Sequence, residues 1–243
     1  MFPLQNAVAT RYPPFVTWGL IATNCVVFLV QISLGTGEAD EFIRRFALVP
    51  ARYFSGAAGL TPSDYLPFLT MMFLHGGWLH LILNMWALWI FGEPVEDRLG
   101  PARYLILYFA CGVLAALAHC EFNPNSTVPA LGASGAIAGV MGCYVRLFPL
   151  SRLVVVIPIL FLPLFFEVPA IIFVGIWFLL QLLQGTAELL TSSTGAGGIA
   201  WWAHVGGFVA GVVLGSLLVL PKRERRPYYA DEGFLGFDPT GRP

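Results

Sequence analysis

Charge is what this sequence has least of: 13 Lys or Arg and 14 Asp or Glu in 243 residues, or 11%, where globular chains carry about 25%. So few charges cannot cover a water-facing exterior. With 57% hydrophobic residues, 14% aromatics and a mean hydropathy of +0.75, they exclude a soluble globular domain. The same composition excludes disordered, collagen-like and coiled-coil chains. Cysteine is sparse as well. Cys25, Cys111, Cys120 and Cys143 lie in or beside apolar runs without CxxC spacing, which argues against a disulfide framework or a zinc site and makes them small packing residues. A net charge of −1 gives no general reason to expect nucleic acid as a partner. The solvent that remains for most of the chain is lipid.

Long apolar runs are what the sequence has in abundance. Crossing about 30 Å of hydrocarbon takes about 20 mostly apolar residues in a helix, somewhat fewer where the bilayer thins. Six stretches qualify, at about 15–34, 68–91, 102–120, 133–149, 168–189 and 199–220. The expected fold is therefore an all-α polytopic membrane protein with six transmembrane helices, forming one membrane domain over 1–220 with a flexible polar tail over 221–243. The opening MFPLQNAVATRYPP has no basic region and no small-residue cleavage site, so a retained anchor is expected rather than a removed signal peptide. Residues 153–170, LVVVIPILFLPLFFEVPA, are interrupted by Pro158, Pro163 and Pro169. They are expected to form a membrane-embedded or interfacial connection, with Glu167 capping the N-terminal end of the fifth helix.

Six spans put both termini on one side. That side holds Arg11, Arg98, Arg103, Arg146, Arg152, Lys222, Arg223, Arg225, Arg226 and Arg242, and the other holds Arg44, Arg45 and Arg52. Basic residues favour the cytoplasmic face, so both termini are expected there. The 35–67 connection then lies outside, and its EFIRRFALVPARYF stretch mixes apolar and basic residues as an interfacial segment does. No transit peptide is visible, and the expected location is a bacterial plasma membrane.

An ionisable or amide side chain inside a span is costly and marks a functional hypothesis. His80 and Asn84, four apart, share one face of the second helix, with His75 nearer its end. Ser134 sits in Gly132-Ala133-Ser134-Gly135 at the predicted start of a short helix, where unsatisfied backbone N–H groups favour negative charge. His204, Gly207, Gly211 and Gly215 form one stripe on the sixth helix, a smooth face for close approach to a neighbour. Together these residues make an acyl-transfer kit: a hydroxyl, a base for its proton, and donors for an oxyanion. Each also has a plain packing role open to it. Serine in a transmembrane helix usually bonds backbone, a lone histidine is often structural, and glycine stripes mostly pack helices.

Four segments carry a further likeness: HGGWLHLILNM (75–85), GEPVEDRLG (92–100), GASGAIAG (132–139) and AHVGGFVAG (203–211). In that order and on those spans, the chain resembles the rhomboid intramembrane serine proteases from about residue 15 to 220. The resemblance implies a six-helix rhomboid-like bundle with Ser134 as nucleophile and His204 as general base, a dyad without a carboxylate. It implies an oxyanion hole of His80, Asn84 and the Ser134 amide, with His75, Gly132, Gly135, Gly207 and Gly211 in support. It makes Glu96 and Arg98 part of a structural loop, and transmembrane proteins in the bilayer the substrates. It implies no cofactor and no metal. Substrate entry is expected beside the fifth helix. One position departs from the family: where some members stack an aromatic ring on the catalytic histidine, this chain has Ala138, so His204 is expected to be held another way, for instance by packing on the glycine face.

Rival readings are weaker. A rhomboid-like pseudoprotease generally lacks the serine or the histidine, and both are here. A transporter is opposed by the absence of an internal inverted repeat and by spans nearly free of acidic residues. HExxH is absent, and Ala136 breaks the GxSxG elbow of α/β-hydrolases. The oligomeric state is left open.

Overall fold

A computed structural model describes residues 2–54, 59–159, 162–191 and 200–219. The polar tail expected over 221–243 lies outside the described residues. The chain begins with strand β1 (Phe2–Asn6) and helix α1 (Phe15–Ser33), and then enters the 35–67 connection. That connection holds the amphipathic α2 (Thr36–Phe46), with no buried residue, and the short α3 (Ala51–Phe54). A 3-10 turn (Pro62–Tyr65), α4 (Pro67–Thr70) and a second 3-10 turn (Met71–Phe73) lead to α5 (Trp78–Leu99). α6 (Pro101–Phe122), α7 (Ser134–Leu147), strands β2 (Arg152–Ile159) and β3 (Leu162–Pro169), α8 (Ala170–Thr191) and α9 (Trp201–Leu218) complete the order.

Four helices, α1, α6, α8 over Ala170–Leu190, and α9, are long and apolar enough to cross a membrane. α7 is apolar but only 14 residues, roughly 21 Å long. The second expected span, 68–91, is not one helix: Pro62–Phe73 and Trp78–Leu99 meet at a bend of 81°. The break falls at His75, whose backbone is taken out of the helical ladder by Gln31 of α1. Gln31 Nε2 donates to the His75 carbonyl (2.7 Å), and the His75 N–H donates to Gln31 Oε1 (3.2 Å). A side-chain amide thus supplies both bonds that a helix would have made, and Gly76 and Gly77 add little helical preference.

The expected loop GEPVEDRLG is also helical, since α5 runs on to Leu99 with Pro94 inside it. Proline has no N–H for the carbonyl four residues back, and here Asn6 Nδ2 donates to that carbonyl, Ile90 O, at 2.9 Å. The acidic residues of the segment clamp the chain entering α1. Glu96, buried, accepts from the Val16 N–H (2.8 Å), the Thr17 N–H (2.8 Å) and Thr17 Oγ1 (2.7 Å). These are orphan donors of the α1 N-terminus, where a carboxylate also meets the positive end of the helix dipole. Asp97 Oδ1 accepts from the Arg11 and Tyr12 N–H groups, and Glu93 Oε1 from Thr10 Oγ1.

The connection between α7 and α8, expected only as a membrane-embedded or interfacial segment, is a β-hairpin. The strands run in the order β1-β2-β3, each pair antiparallel. β1 pairs with β2 from Leu153 to Val156 only. Pro158 therefore falls beyond β1, and Pro163 lies on the edge strand, the two places where a missing N–H is tolerated. Glu167 does not cap α8. It lies in β3 opposite Val154 and accepts from Arg152 Nη1 across the hairpin (2.7 Å), because alternation along a strand brings the two side chains together. The sheet is tied to α5 through β1, where Trp86 Nε1 donates to the Pro3 carbonyl at 2.7 Å.

α7 sits in the middle of the bundle, with Gly135 to Tyr144 continuously buried, as a helix apolar on all sides must be. Small residues allow this. A Cβ on Gly207 or Gly211 would collide with the carbonyls of Gly135 and Gly139, and one on Gly135 would lie 2.7 Å from Ala115 Cβ. The outer faces carry apolar side chains such as Val26, Leu29, Ile82, Ile176, Leu179 and Leu183, the surface a lipid solvent calls for.

Candidate functional site

α7 begins abruptly. Gly132 has φ +128°, and a Cβ there would lie 2.8 Å from the His80 ring, so both backbone and space call for glycine. Its N–H donates to Met71 O at 2.9 Å. Two residues later Ser134 opens the helix, which has no side-chain cap. The backbone N–H groups of that first turn are therefore directed at the region around the Ser134 hydroxyl.

α9 brings His204 to the same point. Its Nε2 lies 2.8 Å from Ser134 Oγ, across 70 residues of chain. His204 is buried and Ser134 half-buried, so the hydroxyl is reachable while the ring is held. The approach depends on the glycine contacts between α7 and α9, which bring the two backbones together.

His80 and Asn84 come from one face of α5. At Gly132 a Cβ would meet His80 Cε1 and Nε2 at 2.8 Å and Asn84 Nδ2 at 3.7 Å, so both side chains flank the entry to α7. The Gly76 N–H donates to His80 Nδ1 at 3.3 Å. A neutral ring that accepts at one nitrogen donates at the other, which leaves the Nε2–H of His80 directed toward Gly132. Asn84 Nδ2 is buried and has no hydrogen-bond partner among the described residues. Two donors thus converge beside the α7 N-terminus. His75 does not reach Ser134; it is fully buried and packs edge-on against His80, ring centroids 5.1 Å apart, and against Phe28 at 6.4 Å.

The sequence reading missed Gln181. From α8 its Oε1 lies 2.8 Å from His204 Nδ1, and Trp177 of the same helix sits with its ring centroid 5.9 Å from the imidazole. Trp201 stands edge-on at 6.3 Å. These groups hold His204 where Ala138 provides no ring, so the glycine face does not act alone. Gln181 carried the same signal that singled out Asn84, an amide inside an apolar span.

A family model described as Rhomboid domain matches residues 62–221, about two thirds of the chain. "Rhomboid protein 1, mitochondrial" of Saccharomyces cerevisiae is 27% identical over 235 residues, covering 92% of this chain and 60% of that protein. "Rhomboid protease GluP" of Bacillus subtilis is 32% identical over 139 residues, 57% of this chain and 25% of that one. "RHOMBOID-like protein 5" of Arabidopsis thaliana is 31% identical over 163 residues, 66% of this chain and 45% of that one. The chain thus spans between a quarter and three fifths of the length of these relatives. His75, His80, Asn84, Ser134 and His204 all lie within the family match.

Proposed function

Starting from a chain that belongs to the rhomboid family and is a multi-pass integral membrane protein, we propose that it is an intramembrane serine endopeptidase acting through a Ser134–His204 dyad. The observation that carries this reading is the 2.8 Å contact between Ser134 Oγ and His204 Nε2 at the start of a buried helix. In the proposed reaction Ser134 Oγ attacks a peptide carbonyl in or beside a transmembrane segment of a substrate protein as its proton passes to His204 Nε2. That proton then goes to the leaving amine, and water releases the acyl-enzyme by the same base.

The oxyanion of each tetrahedral intermediate is assigned to the Ser134 N–H, His80 Nε2–H and Asn84 Nδ2. An unpaired buried amide beside a helix N-terminus fits that role, since a preorganised donor costs no reorganisation when charge develops. Loss of one such donor typically lowers the rate by about 10²–10³. His75 packs His80 in place, and Gly132, Gly135, Gly207 and Gly211 give the approach distances.

Substrate entry is assigned to the side of α8. Only 22% of its apolar window is buried, against 28% for α1 and 39% for α6 and α9. Both termini are assigned to the cytoplasmic side on the distribution of basic residues, and reporter fusions at either end test that assignment.

The test of the activity uses purified protein in proteoliposomes with a model transmembrane substrate. Wild type is expected to cleave and to be labelled at Ser134 by a fluorophosphonate, while Ser134→Ala and His204→Ala do neither yet remain folded. Cleavage by Ser134→Ala at the wild-type rate refutes the assignment.

A further inference from the structure

We infer that Gln181 is a positioning residue for His204: its side-chain carbonyl fixes the tautomer in which Nε2 is free to take the Ser134 proton. The inference rests on the serine protease reading above, and it places control of the base on α8, outside the three helices that carry the rest of the site.

The argument follows the donors and acceptors. Among the described residues the Gln181 amide makes two hydrogen bonds, one to the Trp177 carbonyl four residues back (3.1 Å) and one to His204 Nδ1 (2.8 Å). A backbone carbonyl only accepts, so the amide end facing Trp177 O is the NH2 group. That orients Oε1 toward His204, and a carbonyl oxygen likewise only accepts. His204 Nδ1 must therefore carry the ring proton. A neutral imidazole has one N–H, so Nε2 presents its lone pair, and it presents it to Ser134 Oγ at 2.8 Å. Ser134 then donates to His204, the direction that proton abstraction requires.

Reversing the Gln181 amide would set two carbonyl oxygens against each other at Trp177, so the backbone of α8 locks the whole chain of bonds. Gln181 is buried, 6% exposed, with Trp177 beside the same imidazole. An amide does this without the fixed charge of a carboxylate, which is costly at membrane depth.

The consequence is mechanical. α8 is the least buried of the long apolar helices, and its N-terminal end continues from β3 of the sheet that is bonded to α5 through Trp86 and Asn6. A shift of α8 away from α9 releases Nδ1 first and leaves the Ser134–His204 pair in contact with the wrong tautomer available. Catalytic competence then follows the docking of α8 and not only the distance between serine and histidine.

The test has one arm that does not depend on proteolysis. The chain has four histidines, so nitrogen-15 histidine labelling of the full-length protein gives a spectrum in which His204 is identified by subtraction with His204→Phe. In wild type the His204 proton is expected on Nδ1, and in Gln181→Met, nearly isosteric but with only a weakly accepting thioether, the Nε2–H form is expected to appear. In the kinetic arm Gln181→Met is expected to lower kcat on the order of 10²-fold with KM unchanged. Gln181→Glu, which restores an acceptor, recovers most of it.

A purely structural Gln181 predicts the reverse pattern: thermal stability falls in both variants while kcat per folded molecule stays at the wild-type value. A wild-type His204 proton on Nε2 overturns the inference even if Gln181→Met does not fold. So does an unchanged kcat and tautomer in a folded Gln181→Met. If the tautomer result holds but Ser134→Ala cleaves as well as wild type, the protease reading fails and the positioning contact stands.

Discussion

Gly211→Ala is the sharpest perturbation of the packing that makes the site. A Cβ at Gly211 would collide with the Gly139 carbonyl and lie 2.6 Å from Gly139 Cα. Carbon atoms pack at about 3.5–4.0 Å, so α9 must retreat from α7 by about 1 Å to admit one methyl group. His204 is two turns away on the same helix, and a rigid retreat of that size carries its Nε2 from 2.8 Å to nearly 4 Å from Ser134 Oγ, beyond hydrogen-bond reach. A misplacement of about 1 Å in a reacting pair costs on the order of 10²-fold in rate. The assay is cleavage of a transmembrane substrate in proteoliposomes, with folding followed by thermal denaturation. Gly175→Ala is the control: it lies on α8, and a Cβ there meets nothing within 4 Å. Its activity is expected to match wild type, with stability equal or slightly higher since alanine is the better helix former. A Gly211→Ala protein that cleaves within a factor of two or so of wild type, on the scale of that expected loss, refutes the claim that close α7–α9 packing sets the dyad.

Other outcomes follow from the same geometry. Gly132→Ala combines a left-handed backbone angle with a methyl 2.8 Å from the His80 ring, and is expected to lower cleavage about 10²–10³-fold, the loss of one oxyanion donor, while the 2.9 Å bond from its N–H to Met71 O keeps the fold. An active Gly132→Ala enzyme removes His80 from the site. Glu96→Ala deletes three charge-assisted bonds to the start of α1 and is expected to cost at least about 3 kcal/mol, measured as a drop in thermal midpoint in detergent; a loss under about 1 kcal/mol contradicts the clamp. In the 35–67 connection, Asp64 accepts from the Thr61 Oγ1 and N–H, both at 2.7 Å, and those bonds hold its carboxyl below its ordinary pKa. A depressed acid contributes above its unfolded pKa and loses the contribution as pH falls through the folded value. The Thr61 amide resonance is therefore expected to hold its position from neutral pH into the ordinary carboxylate range and to shift only below it, and a shift at or above pH 5 or so contradicts the depressed pKa.

How much of this was legible beforehand depends on the range of the signal. Membrane residence and the positions of the long apolar helices are properties of local composition, and they were readable. His80, Asn84, Ser134 and His204 stood out locally too, because an amide, hydroxyl or imidazole differs from the apolar run around it. The break at His75 was not, because it depends on Gln31, 44 residues away, replacing the helical bonds. The hairpin at 152–169 was missed for a related reason: an apolar run with prolines is compatible with helix, strand or loop, and pairing with β1 from the far end of the chain decides it. The helical course of 92–99 follows likewise from Asn6 meeting the carbonyl that Pro94 leaves free.

By itself, then, the sequence determined that this protein is a membrane protein and which polar side chains stand out within its apolar spans, because both are set by the mismatch between a residue and its immediate apolar neighbours. Only the tertiary structure decided that Ser134 meets His204 at 2.8 Å, and that Gln181, with the Trp177 ring beside it, stands behind the imidazole. Those contacts join residues 70 and 23 apart, and their distances are set by how closely glycine faces let helices approach, which depends on all the surrounding packing and on no local pattern.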